Sequence, residues 1–103
     1  MSKETDLISL KTYNTQNDVM VAACDYELLG KCFEEGECQI DVSPEFYQDL
    51  KVNPETFLSH LDEATIINLV GERVIELAIN AGVIDECGVI RIGGVPHAQV
   101  FRM

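Results

Sequence analysis

Apolar and polar residues alternate over residues 7–13. Ile8, Leu10 and Thr12 fall on one side and Ser9 and Lys11 on the other, the period-2 pattern of a half-buried strand. The polar run 14–18 predicts a turn. The continuous apolar run 19–24 predicts a strand covered on both faces, the central one of its sheet. Asp25 is placed to cap a short helical turn over 26–29, which Gly30 ends in the left-handed conformation. Residues 31–33 and 37–42 flank Glu34-Glu35-Gly36 and read as a second hairpin, with Cys38, Ile40 and Val42 alternating against Glu37, Gln39 and Asp41.

Ser43-Pro44 and Asn53-Pro54 each set a capping residue before a proline at the first helical position, where the missing N–H is no loss, so helices are predicted to start at Pro44 and Pro54. Residues 62–82 predict one long helix, with Asp62 as cap and Gly82 as terminator. At 100° per residue Ile66, Ile67, Val70, Val74, Leu77, Ala78 and Ala81 share a wide apolar face. Thr65, Asn68, Glu72, Glu76 and Asn80 form the polar stripe, with Leu69 and Ile79 inside it as ordinary surface apolarity or a partner contact. Residues 85–88 predict a turn, and 89–92 and 98–102 predict strands around a connection over 93–96. The expected fold is α+β, a small antiparallel or mixed sheet with one long helix and shorter helices packed on it, in a single compact domain over 1–103.

Composition adds selectivity. A chain of 103 residues supports one core. Seven Lys and Arg against eighteen Asp and Glu give a formal net charge of −11, with the basic residues scattered, so direct unassisted binding of nucleic acid or of anionic membranes is not expected. The acidity reads as a solubilising surface, or else as a docking face for a basic partner. No apolar run is long enough to span a membrane. The opening Met1-Ser2-Lys3-Glu4-Thr5-Asp6 has no signal-peptide core, so a cytoplasmic location with Cys24, Cys32, Cys38 and Cys87 as thiols is expected.

Candidate chemistry concentrates near the end of the chain. In Arg91-Ile92-Gly93-Gly94-Val95-Pro96-His97-Ala98-Gln99, two permissive glycines, a rigid proline and a titratable imidazole lie between apolar runs. Arg91, Gly93, Gly94, Pro96, His97 and Gln99 are therefore the candidate ligand- or partner-binding residues, the glycine amides being suited to an anion or carbonyl oxygen. The competing reading of His97 is a strand-start histidine that locks the turn. Cys24 and Asp25 end the central strand, where sheets commonly carry their sites, so the candidate catalytic set is His97 as acid or base with Cys24 or Asp25; the alternative for Cys24 is a small buried hydrophobe. No metal site is expected, since the cysteines include no C-x-x-C pair and His60 and His97 are far apart, and no cofactor motif is present. Glu72 and Glu76, one turn apart, read as a solvated helix face.

Four stretches carry a family resemblance: Val21-Ala22-Ala23-Cys24-Asp25 with Leu28-Leu29-Gly30-Lys31; Val42-Ser43-Pro44-Glu45-Phe46-Tyr47; Ala64-Thr65-Ile66-Ile67-Asn68-Leu69-Val70-Gly71-Glu72-Arg73-Val74; and 91–99. In these the chain resembles the archaeal family of domain of unknown function 424. The resemblance implies an archaeal, cytosolic source and an association with translation or RNA metabolism, and carries over no catalytic role. The expected function is that of a non-enzymatic accessory factor that binds a protein or ribonucleoprotein; the alternative is a small enzyme built on His97 with Cys24 or Asp25.

Overall fold

A computed structural model describes residues 7–102; the opening hexapeptide read above for an export signal lies outside them. Among the described residues a six-stranded mixed sheet is covered on both faces. Strands β1 (Ile8–Asn14) and β2 (Val19–Asp25) form the predicted first hairpin, in register from Ile8↔Asp25 to Asn14↔Val19. The second hairpin, β3 (Cys32–Glu35) and β4 (Cys38–Asp41), is a separate two-stranded sheet. Then come α1 (Pro44–Tyr47), β5 (Leu50–Val52), α2 (Pro54–Glu63), β6 (Ile66–Val70), α3 (Glu72–Asn80), β7 (Ile90–Ile92) and β8 (Val95–Phe101), and the large sheet is ordered β5-β1-β2-β6-β8-β7. Among the described residues no helix is long and apolar enough to cross a membrane.

Both proline-initiated helices start where predicted, and Asn53 caps α2 by accepting the Thr56 N–H at 2.8 Å. The continuous apolar run 19–24 is indeed an inner strand: Val21, Ala22, Ala23 and Cys24 are at most 1 % exposed because helices cover one face and the small hairpin with α1 covers the other. Ser9 is buried for the same reason, and its hydroxyl donates to the Tyr47 carbonyl at 2.8 Å. Strand β5, which adds an edge to β1, was not foreseen.

The long helix over 62–82 is corrected. Asp62 and Glu63 end α2, residues 66–70 form β6, parallel to β2, and a nine-residue α3 begins at Glu72. The helical periodicity arose because a strand buried on both faces is apolar throughout and fits any period, while α3 supplies its own amphipathic stripe. The β-branched Ile66, Ile67 and Val70 favour the pleated alternative, and Gly71, at φ 123°, holds a conformation no helix interior contains. Leu69 is accordingly fully buried rather than part of a surface stripe, and Ile79 packs partly against the core.

Candidate functional site

Parallel strands β2 and β6 end side by side, and α3 starts immediately after β6. A helix of nine residues leaves its first amides without intrahelical acceptors, and Gly71, at the capping position, has no side chain to supply one. Asp25, at the end of β2, supplies it from a distant part of the chain. Its Oδ2 accepts the Arg73 N–H and its Oδ1 the Val74 N–H, each at 3.0 Å. The fit is tight enough to explain Gly71: a Cβ there would lie 2.5 Å from the Asp25 Cγ. Burial pushes the Asp25 carboxyl above its usual range, and the two amide bonds and Arg73 only partly oppose that. Asp25 makes no side-chain cap to the short 3₁₀ turn Tyr26–Leu28 that follows it. It caps α3 instead.

Around this cap the charged side chains pair. The Arg73 guanidinium donates to both Glu27 carboxylate oxygens at 3.1 Å and to the Leu7 carbonyl at 3.2 Å. Arg91 donates to Glu72 at 2.8 and 3.2 Å and to the Gly94 carbonyl at 3.0 Å, which holds the Glu72 carboxyl below the usual range. Neither partnership has a local sequence signal, since the pairs are 46 and 19 residues apart. The sequence signal that separates α3 from the preceding strand is Gly71, which the expected helix over 62–82 runs through.

The glycine-proline segment is a hairpin. Gly93 and Gly94, at φ 59° and 84°, form a two-residue turn of the kind that needs positive φ at both positions, and β8 begins at Val95, so Pro96 and His97 lie within the strand. Gly93 also approaches the β3–β4 hairpin, where a Cβ would stand 3.1 Å from the Glu34 carbonyl. Its amide is already occupied, donating to Glu35 Oε1 at 3.0 Å. Pro96 is buried, and its carbonyl accepts the Gly71 N–H at 2.9 Å.

The candidate catalytic residues are not brought together. The register places Cys24, Val70 and His97 in one cross-strand row on the face of the small hairpin, so Val70 separates thiol from imidazole by two strand spacings, about 10 Å. Asp25 projects to the opposite face, toward α3. Cys24 is sealed in the core, and burial with the nearby Asp25 charge pushes its thiol up to about 12, the reverse of an activated nucleophile. The half-buried His97 ring is anchored by Nδ1, which must be the protonated nitrogen since it donates to the Leu69 carbonyl at 3.0 Å. Gln99 is exposed two pairs further along β8, opposite Asn68. Among the described residues no group of His, Cys, Asp or Glu is placed to hold a metal ion, and Cys32 and Cys38 lie on opposite faces of their hairpin.

What the arrangement does create is an open groove of about 410 Å³ at the carboxyl ends of β2 and β6, lined by Asp25, Glu27, Leu28, Glu72, Arg73, Glu76 and Gly94–Pro96. The end of β2 and the β7–β8 turn therefore line one groove. This is the crevice where open α/β sheets commonly bind ligands.

A family model described as "Protein of unknown function (DUF424)" matches residues 13–103. A crystal structure of an uncharacterized conserved protein from Methanopyrus kandleri superposes with a TM-score of 0.75 at 28% identity, covering 94% of this chain and 92% of that one. No curated protein matches the chain at a significant level.

Proposed function

This chain belongs to the DUF424 family of proteins of unknown function, and we propose that it acts as a non-enzymatic binding module, an accessory factor in translation or RNA metabolism that engages a protein or the protein part of a ribonucleoprotein. The observation that supports this most is the state of the groups around the groove. Asp25 is consumed in holding α3, the Gly93 amide holds Glu35, and Cys24 and His97 are kept apart. What remains open is a recognition surface. Leu28 and Val95 sit in it beside the half-buried Arg73, paired with the exposed Glu27, and beside Glu72, whose exposed pair with Arg91 a partner re-pairs at little cost because such surface pairs are worth about 1 kcal/mol or less.

A net charge of −11 turns the long-range field against phosphate backbones, so a protein surface is the favoured target over bare RNA. The enzyme alternative requires an acid-base partner within hydrogen-bond reach of His97, and neither Cys24 nor Asp25 meets that condition. The test is affinity capture from a lysate of the source cell with the wild type and with Glu27→Arg at the exposed rim. A translation or RNA-processing component retained by the wild type and lost by the variant supports the proposal. Recovery of no such component overturns it.

A further inference from the structure

A second groove, also about 410 Å³, runs along the other side of the α3 acidic edge. It shares Glu72, Glu76 and Pro96 with the first and adds Ile75, Ile79, Asn80, Glu86, Val89 and Arg91. Its apolar residues are Ile75, which α3 buries against the core, and the half-buried Ile79 and Val89. Its rim is acidic, and Glu76 and Glu86, both exposed, have no ion-pair partner among the described residues. The three arginines are committed elsewhere: Arg73 to Glu27, Arg91 to Glu72, and Arg102 to the Leu61 and Ala64 carbonyls at 2.7 and 3.3 Å.

We infer that this groove docks a short basic, amphipathic segment of the protein partner, an apolar side chain seated over Ile79 and Val89 with Lys or Arg side chains over Glu76 and Glu86. The inference rests on the binding-module reading and adds a place and a partner chemistry to it. Charge complementarity selects the occupant. An apolar strip between unpaired carboxylates desolvates a neutral or acidic segment without compensation, whereas a basic one gains Coulombic contacts at the rim and burial at the centre. Nucleic acid and anionic lipid meet the wrong sign of charge.

The test titrates the isotope-labelled full chain with a short peptide of alternating leucine and lysine, following amide shifts by NMR. Its controls are a glycine-lysine peptide of the same charge and a leucine-glutamate peptide. The expected result is shifts centred on Glu76, Ile79, Glu86 and Val89, with the leucine-lysine peptide bound roughly tenfold more tightly than the purely cationic one. A Glu76→Lys, Glu86→Lys double variant should weaken it by about tenfold, and less so above ~0.15 M salt. Equal binding of the two cationic peptides, shifts spread over the whole acidic surface, or unchanged affinity in the double variant overturns the inference. Thermal melts of the variant guard against unfolding. If the capture experiment above retains its partner with the double variant, this groove is excluded while the binding-module role stands.

Discussion

Replacing Asp25 by alanine removes the acceptor for two amides at the start of α3 without touching any groove-forming apolar residue. Hydrogen bonds to a charged group are each worth about 1.5–3 kcal/mol, and loss of a helix cap costs about 0.5–2 kcal/mol. The upper sum is not reached. Burial raises the Asp25 carboxyl above its usual range, so the two bonds do not fully repay its desolvation. Alanine also strands the buried Val74 N–H. The balance is a loss of about 2–3 kcal/mol, or roughly 10–20 °C in melting temperature for a domain of this size. The pH dependence has a definite sign. A carboxyl whose native pKa is raised binds its proton more tightly in the native state, so its contribution is greatest below the unfolded value of about 3.9 and declines as pH rises through the raised native value, staying flat above it. The stability gap between wild type and Asp25→Ala should therefore narrow as pH rises through that window. Urea unfolding at a series of pH values, with thermal melts at neutrality, measures both quantities. A variant melting within about 2 °C of wild type, or a gap that widens with rising pH, refutes the capping argument.

Three further outcomes are expected. Gly71→Ala should lose about 3 kcal/mol or more, since the new Cβ meets the Asp25 carboxylate and the backbone holds φ 123°, and adding Asp25→Gly should recover part of that loss in a double-mutant cycle. Iodoacetamide at mildly alkaline pH should alkylate the exposed Cys32, Cys38 and Cys87 and spare Cys24 until the protein unfolds, as intact mass will show. His97→Ala should cost about 1 kcal/mol through its bond to the Leu69 carbonyl, measured by denaturant unfolding, and should leave capture of the protein partner intact.

Much of the local architecture was legible in the residues. Turn and cap chemistry placed both proline-started helices, the second hairpin and the left-handed Gly30, because these depend on neighbours in the chain. The run 19–24 announced an inner strand because only a segment covered on both faces is apolar throughout. Residues 66–70 carried the same signal and were read as helix, since periodicity cannot separate a buried strand from the helix that follows it.

At the site, sequence located Asp25 and the glycine-proline hairpin but not their roles. That two carboxylate oxygens from β2 complete a helix starting 47 positions later is a long-range contact, and nothing near Asp25 encodes it. The same holds for Val70 standing between Cys24 and His97: each residue's type was visible, while the distance between them belongs to strand order and register alone. Charge, element boundaries set by turns, and the presence of an unusual hairpin follow from covalent neighbours and side-chain chemistry. Which groups face one another, and which are spent holding the fold, follows only from closing the chain on itself.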